Sequence, residues 1–202
     1  MENNEYLRFI YSKHSISFGL CKDIIEKFND EPHRYNEVYK NNNCKNIKNT
    51  TNFHITKTNE NWHKIFTFLN KELTYCLEEY VAQFRITDTE PNININYNII
   101  NSKLYIYNFT IQKYERNTGK CLYHHDFSVD YSKKQMRLLT YIWYLNDVKE
   151  GGETVFFGKY SIKPETGKLL IFPASWLYPY CENIPLSSDK YIITGWIYVD
   201  DV

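Results

Sequence analysis

Leu138-Leu-Thr-Tyr-Ile-Trp-Tyr-Leu145 is a short run of aliphatic, β-branched and aromatic residues, a composition that favours a β-strand. From Tyr105 to Ile111, apolar side chains alternate with other residues, as in a half-buried strand. Three further β-rich runs are Thr154–Phe157, Lys168–Phe172 and Tyr191–Val199. Turn-forming residues separate the runs: Asn117-Thr-Gly119, Gly151-Gly152, Pro164 with Gly167, and Pro185 to Asp189. The carboxyl-terminal half is therefore predicted to be mainly β.

The amino-terminal half contains two segments with helical periodicity. Ser17–Phe28 has apolar residues at helical spacing, and Asn61–Phe84 carries a longer apolar stripe. We expect both helices to support one sheet. Between them, Asn36–Thr58 is polar and rich in asparagine, which predicts an exposed loop, and Thr87–Asn96 is predicted to be a connector.

His124 and Asp126 lie two residues apart in Tyr-His-His-Asp, residues 123–126, between segments typical of strands. On a strand, residues i and i+2 point to the same face, so the imidazole and the carboxylate are expected to converge. Non-haem Fe(II) oxygenases bind iron through two histidines and one carboxylate. The pair would supply two of these three ligands, and His125 would point to the opposite face.

Several other blocks flank this pair: Gln112–Gly119, Arg137–Asn146, Gly151–Phe157, Lys163–Pro173 and Lys190–Trp196. In order and spacing, residues 105–199 resemble the prolyl 4-hydroxylase-like family of 2-oxoglutarate- and Fe(II)-dependent oxygenases. The resemblance implies a double-stranded β-helix, a jelly-roll or cupin-like arrangement in which two antiparallel sheets enclose a metal site. With the two supporting helices, the expected class is α+β, mainly β.

The same resemblance implies Fe(II) as the metal, with 2-oxoglutarate and dioxygen as co-substrates. Lys190 would bind the far carboxylate of 2-oxoglutarate as a point charge, where many relatives use arginine. Tyr114 and Tyr144 would contribute hydroxyl groups to the same carboxylate, and Thr140 would lie nearby. Trp196, an even number of residues beyond Lys190, would line the pocket from the same strand face.

The sequence departs from the family at the second metal-ligating histidine. The family places it about ten residues before the basic residue, and counting back from Lys190 reaches Tyr180. No histidine follows His125. Tyr180 could bind a metal only as a phenolate, because its unperturbed pKa is near 10. Cys181 and Glu182 are the local substitutes, but Cys181 should face away and Glu182 would lie further along the strand.

Three states of the metal site follow from this departure. A metal could be held by His124, Asp126 and Tyr180, or by a weaker two-residue site completed by water and 2-oxoglutarate. Alternatively, the site could be degenerate and bind no metal.

Length and composition indicate a single domain of 202 residues, in which residues 1–100 form a helical support region integrated with an oxygenase core at 101–202. The 24 basic residues equal the 24 acidic ones, so neither nucleic acid nor an anionic membrane is an expected partner. No signal segment or long apolar run is visible, and the five cysteines are dispersed. We therefore expect a soluble intracellular protein, cytoplasmic, with reduced thiols. The abundance of Asn, Lys, Ile and Tyr fits a large DNA virus or a protist.

The resemblance implies a 2-oxoglutarate-dependent non-haem iron dioxygenase that hydroxylates a C–H bond, with a prolyl residue of a peptide or protein as the substrate that the family suggests, and this is the function we predict from the sequence. The alternative is a non-catalytic oxygenase-fold protein that binds a metal or ligand, because Tyr180 replaces the histidine. A cupin-like or lectin-like sandwich is a third reading, and it leaves the order of Tyr114, His124, Asp126 and Lys190 unexplained.

Overall fold

The computed structural model describes residues 5–40, 46–84 and 104–200, whose strands join one curled antiparallel sheet. The strands are β1 (Tyr11–His14), β2 (Tyr35–Lys40), β3 (Asn46–Thr56), β4 (Leu104–Tyr105), β5 (Asn108–Tyr114), β6 (Lys120–His124), β7 (Val129–Asp130), β8 (Gln135–Tyr144), β9 (Thr154–Phe156), β10 (Tyr160–Ile162), β11 (Lys168–Pro173), β12 (Tyr180–Glu182) and β13 (Lys190–Asp200). The main path runs β1-β11-β8-β13-β5-β3-β6-β12-β9-β10, while β2, β4 and β7 pair with β3, β13 and β8. The predicted α+β, mainly β, double-stranded β-helix is confirmed.

Two helices support the sheet, as predicted. They are α1 (Phe18–Asp30) and α2 (His63–Ala82), and short 3₁₀ turns lie at Glu5–Phe9 and Glu60–Trp62. Ser17 caps α1, because its hydroxyl oxygen accepts a hydrogen bond from the Leu20 amide at 3.3 Å. The buried residues of each helix follow the apolar stripe seen in the sequence, so packing against the sheet stabilises both helices.

The curled sheet has an apolar cluster on each face. Ile193 and Ile197 of β13 pack into the cluster beneath the helices, together with Trp143 of β8. Ile192 and Tyr144 belong to a second cluster inside the curl. Alternation along β8 and β13 therefore sends one set of side chains to the helices and the other set to the enclosed site.

The predicted exposed loop at Asn36–Thr58 is wrong. Within the described residues this segment forms the hairpin strands β2 and β3, and β3 also pairs with β5. Phe53 and Ile55 of β3 are buried in the core, and His54 between them is exposed. Cross-strand pairing outweighs the weak strand propensity of asparagine here. The single strand expected from Tyr105 to Ile111 is split into β4 and β5, with Tyr107 exposed between them.

Three other expectations concern a connector, the cysteines and membrane spans. The predicted connector at Thr87–Asn96 lies outside the described residues. Four cysteines are described, and all are buried free thiols: Cys21, Cys76, Cys121 and Cys181. In the described part of the chain, no helix combines the length and hydropathy that a membrane crossing requires.

Glu79 of α2 joins the helix to β1 and predicts a pH dependence of stability. Its carboxylate accepts hydrogen bonds from Lys13 at 2.8 Å and from Tyr11 at 2.5 Å. The bond from Lys13 is the main reason that the pKa of Glu79 falls from 4.5 to about 2. A depressed pKa stabilises the fold above the unfolded-state pKa, and this contribution is lost as the pH falls toward 2.

We expect Glu79→Gln to lower the melting temperature at pH 7, with the difference from the natural protein shrinking between pH 4.5 and 2. A constant difference across this range would contradict the prediction.

Candidate metal and co-substrate site

His124 and Asp126 converge as the sequence predicts, although they do not share a strand. β6 ends at His124, and Asp126 follows in an irregular segment. His124 Nε2 lies 3.8 Å from Asp126 Oδ1. His124 Nδ1 donates to the Leu122 carbonyl oxygen at 2.9 Å, because a carbonyl can only accept. Nε2 faces the carboxylate, and in a neutral imidazole with its proton on Nδ1 this nitrogen carries the lone pair that a metal ligand requires.

Tyr180, the residue that the sequence predicts in place of a second metal-ligating histidine, lies beside this pair. β12 pairs with β6 so that Tyr180 is opposite His124, with the two ring centroids 4.4 Å apart. The Tyr180 hydroxyl donates to Asp126 Oδ2 at 2.9 Å, and Thr140 Oγ1 donates to the same oxygen at 2.8 Å. Thr140 therefore contacts the Asp126 carboxylate, the predicted metal ligand, rather than the groups around Lys190.

Tyr180 is a neutral phenol in this arrangement. Burial raises its pKa well above the ordinary value, and the negative charge of Asp126 raises it further. A protonated hydroxyl is also what the hydrogen bond to Asp126 requires. The side chain acts as a donor to one metal ligand.

The donor set fits a metal ion in part. His124 Nε2 and Asp126 Oδ1 face each other with free lone pairs, which suits a divalent cation. Among residues 5–40, 46–84 and 104–200, no three His, Cys, Asp or Glu side chains form a group that could hold a metal. Cys181 turns away toward Asn183 Oδ1. Within this part of the chain, a third protein ligand would have to be Tyr180.

Lys190 opens β13 at the far end of the cavity, and its side chain is fully buried. Its ammonium donates to the Gly152 carbonyl oxygen at 2.5 Å and forms an ion pair with the Glu182 carboxylate. Gly152 has φ +74°, and a Cβ there would lie 3.4 Å from Lys190 Cδ. The left-handed backbone favours glycine, which lets the carbonyl approach the ammonium.

Tyr114 and Tyr144 flank Lys190, as the resemblance implies. The lysine Nζ lies 5.3 Å from the Tyr114 ring centroid and 5.4 Å from that of Tyr144. The Tyr144 hydroxyl lies 2.6 Å from Thr154 Oγ1, and Thr154 in turn donates to the Glu182 carboxylate. Since Thr154 has only one hydroxyl proton, Tyr144 is the donor to Thr154.

Glu182 and Thr154 are the two site residues for which sequence reasoning assigned no role at the co-substrate end. Glu182 is 3% exposed, and each of its carboxylate oxygens lies 2.9 Å from Thr154 Oγ1. Its position two residues after Tyr180 places both side chains on the same face of β12. That spacing was the available signal, but it does not reveal that the carboxylate pairs with Lys190.

A cavity of about 510 Å³ is lined by His124, Asp126, Tyr180, Tyr114 and Glu182, whereas Lys190, Thr154 and Tyr144 lie next to Glu182 beyond its lining. His125 lies at its rim and is exposed, while Trp196 and Arg137 form one wall. The Arg137 guanidinium carbon lies 3.5 Å from the Trp196 ring centroid. The Trp196 indole Nε1 is buried and has no hydrogen-bond partner among the described residues. The cavity therefore keeps a free donor in its wall.

The sequence profile of the 2OG-Fe(II) oxygenase superfamily matches residues 109–198, the segment that carries every predicted site residue. This segment of the chain is therefore similar to the superfamily. A comparison of the chain with curated proteins found no match. The similarity agrees with the curled sheet and with the convergence of His124 and Asp126, but it leaves the roles of Tyr180 and Glu182 open.

Solved structures of prolyl hydroxylases share the fold. A viral collagen prolyl hydroxylase from Paramecium bursaria Chlorella virus-1, in complex with 2-oxoglutarate, is 17% identical with a TM-score of 0.64, covering 95% of this chain and 96% of its own. A Pseudomonas putida prolyl-4-hydroxylase is 15% identical with a TM-score of 0.61, covering 94% and 91%. A Trichoplax adhaerens prolyl hydroxylase, bound to a peptide fragment of the hypoxia inducible factor oxygen degradation domain, is 15% identical with a TM-score of 0.63, covering 98% and 87%. At these identities the likeness is one of fold.

Proposed function

We propose that the chain is a metal-binding protein of oxygenase fold that does not carry out 2-oxoglutarate-dependent hydroxylation. The hydrogen bond from Tyr180 to Asp126 carries this proposal. It puts a neutral donor where the family supplies a second imidazole, and it uses a lone pair of the metal-binding carboxylate. His124 and Asp126 would hold a divalent metal as a two-residue site, with the other positions filled from solvent or a ligand.

Metal binding tests the first half of the proposal. Asp126→Ala and His124→Ala are each expected to weaken Mn(II) binding by more than about tenfold, since even loss of an outer-shell partner costs about 10–100-fold. Asp130→Ala, which removes an exposed carboxylate that does not line the cavity, is the control and should leave the affinity unchanged. Calorimetric titration of the four proteins measures the effect. Equal affinities for the natural protein and Asp126→Ala would mean that the metal binds elsewhere or not at all.

A second candidate is the dioxygenase itself, acting on a C–H bond of a peptide or protein, with a prolyl residue as the target. The tautomer of His124 favours it, because Nε2 is held ready for a metal. Iron with 2-oxoglutarate and dioxygen would then supply the oxidising chemistry. The fold shared with a peptide-bound prolyl hydroxylase supports the choice of substrate.

Conversion of 2-oxoglutarate to succinate separates the two candidates. Under our proposal the natural protein with Fe(II), ascorbate and air forms no more succinate than Fe(II) in buffer. Succinate formation that His124→Ala abolishes would reject the proposal and establish the dioxygenase.

A further inference from the structure

Next to Glu182, which lines the far end of the cavity, lies a buried set of groups that could bind a carboxylate. Lys190 supplies the cation, and Thr154 supplies a hydroxyl donor that Tyr144 orients. The lysine side chain is fully buried between two tyrosine rings, so its charge is shielded from water. These are the residue types that bind a carboxylate group of a ligand.

This set of groups is occupied by the chain itself. The Glu182 carboxylate contacts both Lys190 and Thr154, and only 3% of the residue is exposed. A second carboxylate could reach Lys190 only by displacing Glu182 from its buried cation, and separating a buried ion pair is strongly unfavourable.

The backbone around Glu182 holds it in this position. β12 is hydrogen-bonded on both edges, to β6 and to β9, and Glu182 is opposite Cys121 on one side and Thr154 on the other. A residue on a strand between two neighbours cannot rotate its backbone away. The side chain points into the cavity because it lies two residues from Tyr180 on the same face.

We infer that Glu182 is an intramolecular substitute for the far carboxylate of a dicarboxylic acid, and that it excludes such acids from the natural protein. Removal of its side chain beyond Cβ leaves a vacant site for a small carboxylate beside Lys190. The inference goes beyond the proposed function, because it concerns contacts that include none of the metal ligands.

Chemical rescue of Glu182→Ala tests this inference without a metal and without turnover. The variant should melt at a lower temperature than the natural protein, since Lys190 loses its partner. Acetate, propionate or glutarate should restore part of the loss, with a rise of about 5–10 °C at a carboxylate concentration 100 times the Kd. Sodium chloride at equal ionic strength should not. The natural protein should show no rise with glutarate.

Two control variants separate charge from space. Glu182→Gln keeps the volume of the side chain filled, so no carboxylate should rescue it. Glu182→Ala with Lys190→Met keeps the vacant space and removes the cation, so it too should not respond. A folded Glu182→Ala variant, judged by near-ultraviolet circular dichroism, that ignores carboxylates would overturn the inference.

Glutarate titration of the natural protein provides a test that does not depend on the variant folding. No heat of binding is expected in the calorimeter. Glutarate binding that Lys190→Met abolishes would show that Glu182 does not close the site. Both outcomes are independent of succinate formation, so a failure here is distinguishable from a failure of the proposed function.

Discussion

Lys190→Met is expected to lower the free energy of unfolding by about 3–5 kcal/mol, because it leaves the Glu182 carboxylate buried without its cation. Methionine nearly preserves the length and volume of the lysine chain, so the loss reports the missing charge rather than a cavity. Urea unfolding followed by circular dichroism measures it.

Two further variants identify the source of the loss. Lys113 pairs with Asp189 at 3.0 Å, but the two side chains are 21% and 35% exposed, so Lys113→Met should cost no more than about 1 kcal/mol. Adding Glu182→Gln to Lys190→Met should recover most of the stability, since a neutral amide can still accept from Thr154. If Lys190→Met costs no more than Lys113→Met, the buried ion pair described here is not present in solution.

Trp143→Ala is expected to destabilise the protein by about 3–5 kcal/mol, the usual cost of removing a fully buried aromatic side chain. Trp143 lies on the helix-facing side of β8, and its indole Nε1 donates to Ser15 Oγ at 2.8 Å. The variant would lose this hydrogen bond and the ring contact with Tyr141, whose centroid is 5.6 Å away.

Trp176→Ala is the matched control, because Trp176 is 64% exposed. Its replacement should change the free energy of unfolding by no more than about 0.5 kcal/mol. Similar losses from the two tryptophan variants would mean that the helices do not pack on β8 as described.

Periodicity predicted most of the fold. Alternation and β-rich composition located β8, β9, β11 and β13 to within a few residues, and apolar stripes located α1 and α2. These signals are strong because each element buries one face. β2 and β3 were missed, since their polar, asparagine-rich sequence has a weak strand preference and pairing with β5 supplies the missing stability.

The candidate site was predicted from residue spacing and the family resemblance. Spacing does not reveal which side chains of distant strands contact each other. It correctly brought His124 near Asp126 and placed Tyr180 beside them. Spacing and resemblance grouped Lys190 with Tyr114 and Tyr144. They could not show that the Glu182 carboxylate forms an ion pair with the Lys190 ammonium. Whether two charged side chains meet depends on the order of β12, β9 and β13 around the curl, which no local pattern contains. The binding roles predicted for Lys190, Tyr114, Tyr144, Thr140 and Trp196 therefore stay predictions.

The pairings at the two ends of the cavity suggest one common explanation. Tyr180 donates to the carboxylate of Asp126, the proposed metal ligand, and Glu182 neutralises the buried lysine. Two residues of one three-residue strand would thus affect both the proposed metal site and the proposed co-substrate site. Tyr180→His alone should therefore not create 2-oxoglutarate turnover. Tyr180→His with Glu182→Ala changes both the proposed metal site and the carboxylate that occupies Lys190.

A crystal structure of the natural protein soaked with Mn(II) and 2-oxoglutarate would show where each of the two binds. We expect Mn(II) bound to His124 and Asp126, Glu182 still paired with Lys190 and Thr154, and no dicarboxylate at the lysine. A 2-oxoglutarate carboxylate on Lys190, with the Glu182 side chain turned away, would contradict this expectation.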